Sequence, residues 1–234
     1  MKYLLLLPSI LLINLIAKAQ LAIVYDTDGY SNVRKSASLK STVIGKISEN
    51  QVFCISPFDE EKNKEWINVW YQPKPDLKFK HFIRFDETPM SGFVHKSRVI
   101  FLEQLQELTP IVSDSTKFTF KNSSIEIFFE VQPYPKGAKP SLKIDRSIWG
   151  VYGNNAKKEI KSISLKTAKG IYYLLNEAID KLYEINIEQT KVYLGKKHEF
   201  YITTTGADGA DSYQIAWCIK NEKLHSMTVT QTIP

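Results

Sequence analysis

The chain has little with which to do metal or thiol chemistry. Its 234 residues include two cysteines and four histidines, scattered without the paired spacing that zinc ligation requires. No G-x-S-x-G elbow, no phosphate-cradling glycine run ahead of a helix and no H-E-x-x-H occurs. Those absences remove the usual signatures of serine hydrolases, nucleotide binders and zinc peptidases. Neither a cofactor nor a metal is expected. Charge of one sign is also scarce: 31 Lys and Arg stand against 25 Asp and Glu. Such a mild excess favours weak contact with anionic surfaces and falls short of a nucleic-acid footprint. Beyond the N-terminal segment, no apolar run approaches the length of a membrane span.

The N-terminal segment is the exception. Lys2 precedes an almost wholly apolar stretch from Tyr3 to Ala17, and Ala17-Lys18-Ala19 places small residues where a signal peptidase reads. Residues 1–19 are therefore expected to be a signal peptide cleaved before Gln20; an uncleaved anchor is the other reading. No transmembrane segment would remain, and the protein would be exported, periplasmic or extracellular. An oxidising compartment allows one disulfide. Yet Cys54 lies in Val52-Phe53-Cys54-Ile55 and Cys218 in Ile215-Ala216-Trp217-Cys218-Ile219, where each reads more simply as a buried thiol within a strand.

Four separated blocks follow in order: Asp28-Gly29-Tyr30-Ser31-Asn32-Val33-Arg34, Ser41-Thr42-Val43-Ile44-Gly45-Lys46-Ile47, Trp66-Ile67-Asn68-Val69, and Gly92-Phe93-Val94-His95-Lys96-Ser97-Arg98-Val99. Together they resemble the bacterial SH3-like (SH3b) domain over about residues 22–102. The resemblance implies a small β-barrel over 20–102 with a shallow ligand groove. Tyr30, Asn32, Arg34, Trp66, Trp70 and Phe93 hold the matching or adjacent positions, and the implied ligand is peptidoglycan peptide or glycan. Aromatic faces stack on sugars or peptides, and Arg forks onto a carboxylate. Asn32, Val33 and Arg34 could equally brace the barrel, and Trp66 could be core. Trp66 to Tyr71 alternates, burying either Trp66 and Asn68 or Ile67 and Val69. The polar residues of His95–Arg98 are expected to tie the last strand to the first loop.

Pro57–Lys64 reads as a charged loop. Residues 73–89 depart from the family pattern, interleaving Lys74, Lys78, Lys80 and Arg84 with Phe79, Phe82 and Phe85. They suggest either an extra hairpin that grips an acidic or glycan ligand or a loop whose aromatics cover the barrel. Residues 103–115 read as a linker. Residues 116–234 then read as an α+β domain of no recognised family. Phe118–Phe120 and Ile125–Val131 are strand-like, whereas Pro133–Pro140 is too rich in Pro and Gly for regular structure. From Thr167 to Tyr183 apolar residues recur at helical spacing, predicting the main helix. Thr190–Leu194, Glu199–Thr204, Ser212–Ile219 and Leu224–Thr230 follow as strands, the last two joined by a hairpin turn over Lys220–Lys223. The expected fold is mainly β: an SH3-like barrel, then an antiparallel-sheet domain with one main helix.

Few constellations suggest catalysis. Cys218 with His198 and His225 has the residue types of a thiol peptidase, but such a Cys belongs in an exposed, activating setting. Asp26 and Asp28 could pass for a glycosidase pair, although a turn Asp more often caps its own backbone. The Gly206–Asp211 loop offers Asp208 and Asp211 as oxygen ligands, without the spacing of a calcium loop. It reads better as a tight loop able to serve in recognition. The sequence thus points to a non-catalytic envelope binding protein; the alternatives are an interaction or inhibitor protein acting through the second domain, which would dock an envelope protein, or an unrecognised wall hydrolase.

Overall fold

The computed structural model describes residues 20–56, 65–76, 78–84, 90–136, 148–151 and 156–232. The expected signal peptide, the 57–64 loop and half of the Pro/Gly-rich stretch, residues 137–140, lie outside the described residues. The strands run in chain order as β1 (Leu21–Val24), β2 (Tyr30–Arg34), β3 (Val43–Ser48), β4 (Val52–Ile55), β5 (Trp66–Tyr71), β6 (Lys80–Ile83), β7 (Met90–His95), β8 (Val99–Phe101) and β9 (Gln106–Glu107). They continue as β10 (Pro110–Ser113), β11 (Lys117–Lys121), β12 (Ile125–Pro133), β13 (Lys158–Thr167), β14 (Gly170–Tyr173), β15 (Ile185–Leu194), β16 (Phe200–Gly206), β17 (Tyr213–Lys220) and β18 (Lys223–Gln231).

These strands form three layers. The front sheet has the order β3-β2-β7-β5-β4-β1-β8, the middle sheet β6-β18-β17-β16-β15-β9, and the rear sheet β10-β11-β12-β13-β14. Side-chain alternation explains the stacking. On β17, Ile215, Trp217 and Ile219 enter the core shared with the rear sheet, while Ala216 and Cys218 enter the core shared with the front sheet. A strand buried on both faces carries a continuous apolar run instead of an alternating one. β1 and β4 do the same from the front: Leu21, Ile23, Val52 and Cys54 meet the middle sheet. Ala22, Val24 and Phe53 turn the other way, joining Val33, Ile47, Ile67, Val69, Tyr71 and Val94 in the front sheet's own core.

That core settles the alternation of β5 in favour of Ile67 and Val69. Both ends of the front sheet contribute to it, since Ile47 of β3 is part of it and Phe101 of β8 packs against it. β3 and β8 nevertheless remain unpaired edges. The sheet is curled but open, so the expected closed barrel is not formed.

The helix expected over Thr167–Tyr183 is absent. Thr167 pairs with Gly170 across a tight turn, β14 pairs antiparallel with β13, and only a single 3-10 turn follows at Asn176–Ala178. Ile171-Tyr172-Tyr173 is a β-branched and aromatic run suited to a pleated surface. The helical apolar period is not used as one face: Leu174, Ala178, Ile179 and Leu182 are buried, whereas Ile171 and Leu175 are exposed. Among the described residues the second half contains no α-helix, and the α+β assignment gives way to antiparallel sheets.

Residues 103–115 are no free linker. β9 pairs with β15, β10 pairs with β11, and Leu105 and Leu108 are buried. The insertion at 73–89 is likewise built in. β6 pairs parallel with β18, the last strand of the chain. Phe79 and Phe82 pack against the core between middle and rear sheets, while Ile83 points into the core between middle and front. Phe79 and Phe82 therefore cover the neighbouring layers, not a barrel, while Phe85 lies outside the described residues. Arg84 lies 3.7 Å over the Trp149 ring and donates to the Ile148 carbonyl at 3.1 Å.

Candidate functional site

The first turn fixes one cavity. Asp26 accepts from the Asp28 N–H at 3.1 Å, the self-capping turn that its sequence suggests. Asp26 also pairs with Arg98, and the Tyr25 N–H donates to the Arg98 carbonyl at 2.9 Å. The segment after β7 is thereby tied to the first loop. The Asp28 N–H and the Arg98 guanidinium together hold the Asp26 carboxyl below its ordinary value. His95 caps the following 3-10 turn, its Nδ1 lying 2.8 Å from the Ser97 hydroxyl.

Between these groups and β2 lies a cavity of about 140 Å³ lined by Asp26, Asp28, Tyr30, Ser31, Asn32, Arg34, Leu39, Trp66, His95 and Arg98. Four of the six positions drawn from the SH3-like resemblance, Tyr30, Asn32, Arg34 and Trp66, meet there. The other two do not line it. Trp70 packs on the core between front and middle sheets, and Phe93 stands opposite Asn68 and Arg34 in the ladder. His95, Arg98 and Leu39 were not singled out as ligand positions in the sequence. For the first two, the polar run His95–Arg98 that closes the motif is the available signal; Leu39 has none.

The cavity's aromatics are already engaged. Lys46 Nζ sits 3.9 Å over the Tyr30 ring, and Trp66 is buried with its ring edge-on to His95 at 5.2 Å. Arg34 Nη1 donates to the Ser41 carbonyl at 2.7 Å, bracing the loop after β2. The remaining guanidinium N–H groups have no partner among the described residues. Two cationic side chains, Arg34 and Arg98, and two anionic ones, Asp26 and Asp28, line the cavity, with Arg98 paired to Asp26.

A second, larger cavity of about 690 Å³ is lined by residues of the middle and rear sheets and their loops. Its lining includes Lys157, Lys158, Glu184, Glu188, Asp208 and Asp211. Asp208 and Asp211 belong to the loop between β16 and β17, which forms a 3-10 turn at Gly209–Asp211. Among the described residues no cluster of His, Cys, Asp and Glu could hold a metal ion.

Both cysteines are free and buried. Burial pushes each thiol up to about 12, the reverse of an activated nucleophile. The Cys54 sulfur lies 3.7 Å from the Thr230 hydroxyl, a contact between front and middle sheets. His198 occupies a turn with φ of 65° and His225 is an exposed position on β18. No helix among the described residues is long and apolar enough to cross a membrane. No family model matches the chain, and no curated protein or solved structure is significantly similar to it.

Proposed function

We propose that this is a non-catalytic, exported binding protein of the cell envelope. In this reading its SH3-like front half holds a cell-wall peptide in the cavity beside β2. The carrying observation is that Tyr30, Asn32, Arg34 and Trp66 line one cavity together with Arg98 and His95. The chemistry favours a peptide over a glycan. At about 140 Å³ the cavity is smaller than the 300–1,000 Å³ usual for drug-sized ligands. It suits one residue or a chain terminus. Lys46 lies over one face of Tyr30 and Trp66 is buried, which leaves little open ring on which a sugar could stack. The unpartnered donors of Arg34 suit a carboxylate, and Asp28 suits an ammonium on the same ligand. Buried thiols with raised pKa values support the absence of cysteine catalysis.

The test is co-sedimentation of the full chain with purified sacculi, alongside Arg34→Gln and Asn32→Ala. Losing a charge-assisted pair costs about 1.5–3 kcal/mol, so Arg34→Gln should weaken retention by about tenfold or more. Circular dichroism should show both variants folded. Retention that is absent in the parent, or unchanged in both variants, would refute the reading. A second reading, docking of an envelope protein at the Asp208/Asp211 loop, draws support from the larger cavity that these residues line. Under it, Asp208→Lys would abolish capture of a soluble envelope protein while sacculus binding stayed at background.

A further inference from the structure

We propose that the free edge of the rear sheet is a self-association surface, on which β14 pairs antiparallel with β14 of a second copy of this chain. Sheet edges are ordinarily guarded by charge, proline, bulges or brevity. The described edges elsewhere follow that rule, the middle sheet's β6 edge opening on Lys80. β10 begins with Pro110 and carries a register shift, β9 spans two residues and includes Glu107, and β8 spans three. At the β3 edge Lys46 intervenes, and its pairing with β2 is bulged.

β14 spans only four residues but has none of the other guards. Its sequence Gly170-Ile171-Tyr172-Tyr173 is uncharged, and its pairing with β13 is regular. Ile171, Tyr173 and Leu175 are 56%, 68% and 58% exposed, the largest concentration of exposed apolar side chains in any one strand and its continuation. The backbone follows the same pattern. The Leu174 N–H donates inward to the Ile163 carbonyl at 2.9 Å. By the alternation of an antiparallel ladder, the N–H and C=O groups of Ile171 and Tyr173 then point outward. Nothing among the described residues pairs with them.

The occupant is argued from charge. Lys169 flanks β14 at its start and Glu177 lies just past its end. Their side chains are exposed, and each makes only a surface ion pair, with Glu222 and Lys78 respectively. Two antiparallel copies bring each Lys169 towards Glu177 of the partner subunit. A parallel arrangement would oppose like charges. With the two-fold axis beside Tyr172, Ile171 stands opposite Tyr173 of the partner subunit. In that register the outward backbone groups of both residues bond in pairs. The side chains then form a β-branched–aromatic cross-strand contact, which is among the favourable pairings. The arrangement is isologous, and it closes as a dimer without further growth.

Sedimentation velocity of the purified full chain across a wide concentration range tests this. The parent should pass from monomer to dimer, and the double variant Ile171→Lys with Tyr173→Lys should weaken dimerisation about tenfold or more. Its circular dichroism should not change, because both side chains are exposed. Lys169→Glu and Glu177→Lys should each weaken the dimer, and combining them should restore it. A parent that stays monomeric throughout, a dimer indifferent to the double lysine variant, or a charge swap without recovery would each overturn the proposal.

Discussion

At the scale of single residues, Gly45 shows what the second motif block is for. A Cβ at this position would lie 2.0 Å from the Tyr71 hydroxyl and 3.0 Å from its ring carbon. Glycine lets the Tyr71 ring cover β3 and seal the front core. Gly45→Ala should therefore cost about 1–3 kcal/mol by overpacking, measured by urea unfolding. Tyr71→Phe should recover part of that loss. The Tyr71 hydroxyl has no hydrogen-bond partner among the described residues, so Tyr71→Phe alone should be neutral or stabilising. His81 makes a pH-dependent prediction. Its ring is buried, with Nδ1 3.1 Å from the Gln72 carbonyl oxygen and 3.3 Å from Gln51 Nε2. Burial lowers its pKa below the ordinary 6.5. The unfolded chain thus takes up this proton more readily than the folded one. Its contribution is complete above about pH 6.5 and is lost as pH falls through the lower folded value. Denaturation midpoints between pH 7 and 5 should fall in the parent and fall less in His81→Gln.

At the scale of elements, the turn between β17 and β18 is set by two positive φ values, 51° at Asn221 and 58° at Glu222. That is the backbone of a two-residue hairpin turn, which favours Asn-Gly. Glu222→Gly should raise stability by about 0.5–1 kcal/mol in thermal unfolding. The exposed pair that it loses with Lys169 is worth less. This hairpin was legible in the sequence, as were β16 to β18 and the second half of β15 (Ile185–Leu194), because each is a run of strand length bounded by turn residues. The stretch from Thr167 to Tyr183 misled because Ile171, Leu174, Leu175, Ala178, Ile179 and Leu182 fit a helical period by spacing alone. Nothing local reveals that Ile171 and Leu175 remain exposed. β6 was hidden for another reason: its parallel partner β18 lies at the far end of the chain. The cavity beside β2 was legible in part through Tyr30, Asn32, Arg34 and Trp66, since a motif keeps its residues in register. The contribution of Leu39 depends on the path of a loop.

At the scale of the whole molecule, the middle sheet binds front and rear into one structure. Thr228 donates to the Val52 carbonyl at 2.7 Å, and Ser226 donates to that of Asn50. The Asn50 amide, itself buried, reaches the Glu199 carboxylate at 3.0 Å and the Tyr201 hydroxyl at 3.2 Å. Leu21, Ile23, Val52 and Cys54 would lose their cover if the chain were cut after residue 102. Calorimetry of the full chain should accordingly show one cooperative transition, and a 20–102 fragment should lack a sharp one. Two separated transitions would show that the layers fold independently. The front sheet is then fastened to a large scaffold through the middle sheet. The most direct measurement is isothermal titration of the full chain with a soluble wall stem peptide and with its C-terminal amide. Saturable heat with the free carboxylate, at least about tenfold weaker with the amide or in Arg34→Gln, is the predicted result. Equal binding of both peptides, or none of either, would contradict the assignment.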